Sequence, residues 1–179
     1  MEPRLGFDAI DEAYQHWTRQ WPEAAASMAA ATSIMRAQQI VLGAVDAALK
    51  SHGLTFARYE ALVLLSFTRS GSLPLGKMGQ RLMIHPTSVT NIVDRLVHDG
   101  LVERVAHPSD RRTTLARITS AGRELVERAT LAVNAVHFGV GSLDETDQRN
   151  LVRVIRELRR TAGDFADDTV TALDQDRQP

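Results

Sequence analysis

The chain has 179 residues, 44% of them hydrophobic and 24% charged, with a formal charge of −1, which suits one ordinary domain or one domain with an added arm. It has no cysteine, which excludes disulfides, thiol catalysis, cysteine-ligated zinc and thiol-based redox sensing. No apolar run approaches the roughly 18 to 20 residues of a membrane span. The N-terminus lacks a basic-then-apolar signal pattern, so a cytoplasmic protein without membrane association is expected.

Residues 7–21 place Phe7, Ile10, Tyr14, Trp17 and Trp21 at spacings of three and four, the stripe of a helix with one narrow apolar face. Two tryptophans on so short a helix are expected to bury against something. Pro22 interrupts the stripe. A long alanine-rich helix follows, roughly Ala24 to Ser51, with Met28, Met35, Leu42 and Leu49 recurring every seven residues and Gly53 placed to end it. A helix of about 28 residues spans roughly 40 Å, longer than a small domain needs internally, so part of it is expected to pack on another subunit.

Thr55 is positioned to cap the next helix, which carries Tyr59, Leu62, Val63 and Leu65 to about Phe67. Gly71–Pro74 reads as a turn. Two short helices follow, about Leu75–Leu82 and Pro86–Asp99; Pro86 suits a first helical turn and Gly100 stops the second helix. From Leu101 to Thr119 the pattern changes. Leu101–Val105 and Thr114–Ile118 are strand-like and flank a polar, basic tip, which predicts a β-hairpin. A helix from Thr119-Ser120 to about Phe138 comes next. The last helix opens at Ser142-Leu143-Asp144-Glu145, a capping-box spacing, and uses Leu151, Val154, Ile155 and Leu158 as its apolar face. The acidic, polar stretch 167–179 is expected to be disordered.

Charge follows this plan. Residues 69–117 hold eight basic and four acidic side chains, whereas residues 144–179 hold six basic and nine acidic ones. A basic middle between acidic flanks is the pattern of a phosphate-facing surface on an otherwise repelling body.

Helix, short helix, short helix and hairpin, in that order, spell a helix-turn-helix with a wing, and a mainly α fold. The second short helix can enter a major groove while the hairpin reaches the neighbouring minor groove. Val89, Val93 and Leu96 supply its buried face. Pro86, Thr87, Ser88, Thr90, Asn91 and Arg95 are the candidate DNA-contacting residues, most of them short polar side chains that reach bases and phosphates at little entropic cost. Asp110, Arg111 and Arg112 form the candidate wing tip, where an arginine gains from the potential of a narrow minor groove and Asp110 can hold it extended.

Asp110-x-Arg112 followed by Leu115-Ala116-Arg117-Ile118-Thr119-Ser120-Ala121-Gly122, with Ser88–Leu96 and Gly100–Arg104 before it, resembles the recognition helix and wing of the MarR family. The likeness is close over Leu54–Gly122. It implies a homodimer on double-stranded DNA with a palindromic operator, a repressor's role, and a small aromatic ligand bound between the dimer helices and the DNA-binding lobe. It also implies a division into an extra N-terminal helix (1–22), a helical dimerisation region (23–53 and 120–166), a DNA-binding lobe (54–119) and a tail (167–179). The extra helix resembles the PecS-like, urate-responsive branch, in which Trp17 would stack on a ligand, with Glu60 and Ile92 as further pocket candidates. Glu60 stands where that branch has an aspartate and Ile92 where it has an arginine, which removes the natural partner of an anionic purine and favours a less charged aromatic.

No phosphate loop, nucleophile elbow or catalytic triad is legible, so no enzyme and no cofactor are expected. His16, His52, His85, His98, His107 and His137 are scattered without ligand spacing, so no metal is assigned. A non-specific architectural DNA binder and a metal-responsive regulator of the same fold are the competing readings.

Overall fold

The computed structural model describes residues 5–110 and 112–166. Seven α-helices and three short strands make up the described chain. It divides into two compact units, one up to Ala44 and one from Val45 onward.

The first unit holds α1 (Ala9–Gln20) and most of α2 (Pro22–Leu49). Asp8 caps α1, its carboxylate accepting the Ile10 N–H at 2.8 Å. Pro22 does not merely interrupt: it is the first residue of α2, where a missing N–H costs nothing. The two tryptophans do not bury as their size predicts. Trp17 and Trp21 pack on each other, centroids 4.9 Å apart, and Trp21 stays 54% exposed. α1 has no buried residue; Ile10 and Trp17 of its apolar stripe are only partly covered.

In the second unit α2 tightens into a 3-10 turn, Lys50–His52, and stops at Gly53 in the left-handed region (φ 68°). The next helix, α3, is Phe56–Phe67. Thr55 occupies its N-cap position but makes no side-chain capping bond; Asp46 of α2 accepts the Phe56 N–H at 2.7 Å instead. A carboxylate ten residues upstream, invisible to a local reading, therefore caps the helix.

Gly71–Pro74 is more than a turn. Gly71 takes φ 65°, and Ser72–Pro74 forms β1. After α4 (Leu75–Leu82) and α5 (Pro86–His98), the hairpin β2 (Val102–Ala106) and β3 (Thr114–Ile118) completes an antiparallel sheet of order β1-β3-β2. Leu73 lies opposite Ala116, and Val102 opposite Ile118. A three-residue strand is too short to leave an alternating signature, and the sheet supplies its partners from more than 40 residues away.

Val45, Leu49, Leu62, Leu65, Met78, Val89, Val93, Leu96, Ala116, Val126 and Val133 form one core that joins α2's end, α3, α4, α5, the sheet and α6 (Ser120–Ala135). α6 ends earlier than its apolar pattern implied. His137 and Phe138 both take left-handed backbone (φ 47° and 51°), a conformation that costs an L-residue on the order of 1–2 kcal/mol and breaks the helix. α7 (Glu145–Thr161) is capped by Asp144, which accepts the Asp147 N–H at 2.8 Å, so the Ser142–Glu145 capping box does not form. None of its residues is buried. Leu151, Val154 and Leu158 are each about half exposed, an apolar stripe left uncovered among the described residues.

Candidate nucleic-acid interface

α5 is set by its own sequence. Val89, Val93 and Leu96, at helical spacing, sit in the core and fix which face turns outward. The His85 ring nitrogen accepts the Thr87 N–H at 3.3 Å, and Pro86 fills the first turn. Pro86, Thr87, Ser88, Thr90, Asn91 and Arg95 are all exposed. The structure thus gathers the six recognition-helix candidates on the solvent side of one helix. Thr90 donates its hydroxyl back to the Pro86 carbonyl at 3.2 Å, so toward an outside partner it offers acceptor lone pairs.

Met83, between α4 and α5, takes the left-handed conformation (φ 53°) that turns the chain from one helix to the other. Gly79 makes the close approach possible: a Cβ there would lie 3.2 Å from both the Ile84 carbonyl oxygen and a Val89 methyl.

The wing tip is shaped by Asp110. Its carboxylate accepts the Arg112 backbone N–H at 3.0 Å and the Thr113 hydroxyl at 2.6 Å. The Thr113 bond, then the Arg112 N–H, holds this carboxyl below its ordinary range. Asp110 therefore folds the loop backbone rather than holding the Arg112 guanidinium extended, and Thr113, not singled out from the sequence, is its main partner. Arg112 is exposed beside it. Arg111 lies outside the described residues.

The four carboxylates between residues 69 and 117 are all engaged inside the lobe. Asp94 pairs with Arg104 of β2 at 2.7 Å, which also ties the wing to α5. Asp99 pairs with Arg58 at 3.1 Å, and Glu103 with Arg117 at 3.4 Å. Asp110 is spent on the turn. Arg95 and Arg112 are exposed and form no ion pair among the described residues, so both charges are open to an outside anion, with the Asp110 carboxylate beside Arg112.

Thr119 and Gly122 join this lobe to α6, a role the sequence pattern alone did not expose. The Thr119 hydroxyl donates to the Gly100 carbonyl at 2.9 Å and accepts the Gly122 N–H at 3.0 Å, capping α6 on the turn that ends α5.

A cavity of ≈ 650 Å³ opens between α3 and α6, lined by Tyr59, Val63, Phe67, Val126 and Phe138 with Arg123 and Glu127 among its polar residues. Phe67, 72% exposed at the end of α3, and Phe138 in its left-handed turn give it aromatic walls. Glu60 is the neighbour of Tyr59 on α3 but does not line this cavity, and burial pushes its carboxyl above the usual range. Ile92 packs against the core. Trp17 belongs to the N-terminal unit, against Trp21. Among the described residues no group of three His, Asp or Glu side chains could hold a metal ion, and no helix is long and apolar enough to cross a membrane.

A helix-turn-helix followed by a β-wing, with three of its four acids paired to arginines of the same lobe and Arg95 and Arg112 exposed, defines a winged-helix DNA-binding protein. A sequence profile of the MarR family matches residues 54–114. The chain is 58% identical to Sco5413, a MarR family transcriptional regulator from Streptomyces coelicolor, over 79% of its own length and 98% of that structure, with a TM-score of 0.73. It is 33% identical to the HTH-type transcriptional regulator YhbI of Bacillus subtilis, covering 66% of this chain and 72% of that protein. It is 25% identical to Sco3205, a MarR family regulator from Streptomyces coelicolor solved in complex with DNA, over 73% of this chain and 87% of that one, with a TM-score of 0.68. The chain belongs to the MarR family of DNA-binding transcriptional regulators.

Proposed function

We propose that this regulator is a repressor that binds a palindromic operator as a homodimer. In this reading residues 54–119 form the DNA-binding lobe, and 23–53 with 120–166 the dimerisation region. α5 lies in the major groove with Thr87, Ser88, Asn91 and Arg95 toward bases and phosphates, while Arg112 enters the adjacent minor groove. The observation that carries it is the pairing of Asp94, Asp99 and Glu103 with arginines of the lobe, while Arg95, on the same helix as exposed Asn91, and Arg112 of the wing stay exposed without an ion pair among the described residues. That Sco3205 was solved in complex with DNA supports DNA as the partner. The homodimer rests on α7, whose exposed Leu151, Val154 and Leu158 need a second copy to leave water.

The α3–α6 cavity is where a small aromatic ligand binds, its ring among Tyr59, Phe67 and Phe138. Its volume falls within the roughly 300–1,000 Å³ typical of small-molecule sites. Ligand that fits one spacing of α3 and α6 better than another shifts the lobes and so the DNA affinity. The urate-branch candidates Trp17, Glu60 and Ile92 do not line this cavity, so the ligand proposed here is not carried over from that branch.

The test is a gel-shift titration against the DNA upstream of the protein's own gene, with random duplex as competitor and the mass of the free protein measured in parallel. Competitor-resistant binding by a dimer is the expected result. Binding no tighter than to random duplex would replace the operator reading with an architectural one.

A further inference from the structure

A second concave surface lies at the root of the wing, away from the α3–α6 cavity. It is a cleft of ≈ 600 Å³ lined by Arg69, from the turn after α3, Lys77 of α4, Arg117 of β3 and His107 at the start of the wing loop. No carboxylate lines it. Arg69 and Lys77 form no ion pair among the described residues, and Arg117 meets only Glu103, at 3.4 Å with both side chains about half exposed. Bringing these cations to one hollow costs electrostatic energy that a bound anion would return.

The neutral groups present suit the same occupant. The hydroxyls of Ser70 and Ser72 lie 3.0 Å apart on the rim. His107 Nδ1 accepts the Ser109 N–H at 3.3 Å, which places the proton of the neutral ring on Nε2 and makes that nitrogen a donor. Leu73 and Pro108 add apolar wall, and the volume exceeds what a bare inorganic ion fills.

We propose that this cleft is a second ligand site, for a small organic oxyanion: a carboxylate or phosphate ester carrying a flat apolar body. Arg69 and Arg117 grip the oxyanion through paired N–H donors, Lys77 adds a point charge, and the body lies against Pro108. His107 and Pro108 belong to the wing loop while Lys77 belongs to α4, so an occupant touches both the helical lobe and the wing.

The experiment is an NMR titration of the full chain without DNA, using phenyl phosphate as the probe and inorganic phosphate and benzyl alcohol as comparators. Because no DNA is present, its failure is separable from a failure of operator binding. Phenyl phosphate should shift the Ser70, Ser72, His107 and Arg117 amides saturably, with at least tenfold weaker binding in R69A/K77A, whose remaining spectrum reports an intact fold. Equal affinity in that variant, or shifts confined to the α3–α6 cavity, would overturn the site. Inorganic phosphate binding as tightly as phenyl phosphate would overturn the organic ligand. If phenyl phosphate fails to bind while R69A/K77A loses affinity for duplex DNA, the cleft seats a DNA backbone phosphate and the proposal is wrong.

Discussion

Tyr59 donates its buried hydroxyl to Thr130, 3.1 Å away, and so fastens α3 to α6 across 71 residues of sequence. The direction follows from chemistry: the Thr130 hydroxyl proton is committed to the Val126 carbonyl at 2.7 Å, which leaves Thr130 only lone pairs to offer. This bond closes one side of the α3–α6 cavity.

Tyr59→Phe removes donor and hydroxyl together and should cost about 1 kcal/mol. Thr130→Val strands the Tyr59 hydroxyl in a buried place and should cost roughly 1–3 kcal/mol. Urea unfolding of the two variants tests the order; a Thr130→Val cost below that of Tyr59→Phe would contradict the assigned direction.

Gly122→Ala should be among the most damaging small substitutions in the lobe. A Cβ there overlaps the Leu101 carbonyl oxygen and lies 2.8 Å from Ile118 Cγ1, so backbone must move where α6 meets the wing. A loss of about 2 kcal/mol or more is expected. Gly76→Ala is the control: nothing lies within 4 Å of its Cβ, and alanine in a helix should gain about 0.5–1 kcal/mol. Thermal unfolding of the pair separates steric conflict from helix propensity.

Arg112→Ala should weaken operator binding, and it should flatten the plot of log affinity against log salt by about 0.9 per subunit, with the dimer intact. Asn91→Ala should instead relax base preference, by about 1–3 kcal/mol at one position, with little change on random duplex. Fluorescence anisotropy over a salt series resolves both effects. An unchanged slope for Arg112→Ala means that the wing does not touch phosphate or groove.

Glu60 makes stability depend on pH. Burial raises its folded pKa above the unfolded value, so between the two the native state binds more protons than the unfolded chain. Its contribution therefore falls as pH rises through that window and is least favourable at neutral pH. Glu60→Gln should be more stable than the parent at pH 7 and lose that advantage in acid. Denaturant midpoints at pH 4 and pH 7 give the comparison, and a constant difference would remove Glu60 as the cause.

The sequence by itself determined what local periodicity and turn chemistry encode. Val89, Val93 and Leu96 fixed the inner face of α5 and hence its outward Thr87, Ser88, Thr90 and Asn91, and Gly100 ended it. The strand-like runs Leu101–Val105 and Thr114–Ile118 on either side of a polar tip marked the hairpin, its first strand lying one residue later at Val102–Ala106. These signals are complete within a few residues, so no partner is needed to read them. Tertiary structure alone decided the features whose partners are distant in sequence. Asp46, not Thr55, caps α3; Ser72–Pro74 becomes a strand only because β3 is beside it; Asp94, Asp99 and Glu103 pair with arginines that folding delivers. The α3–α6 cavity belongs to this second group. Tyr59 and Phe67 share α3, but Phe138 follows α6 far along the chain, and no spacing along a sequence records that it will face the same space.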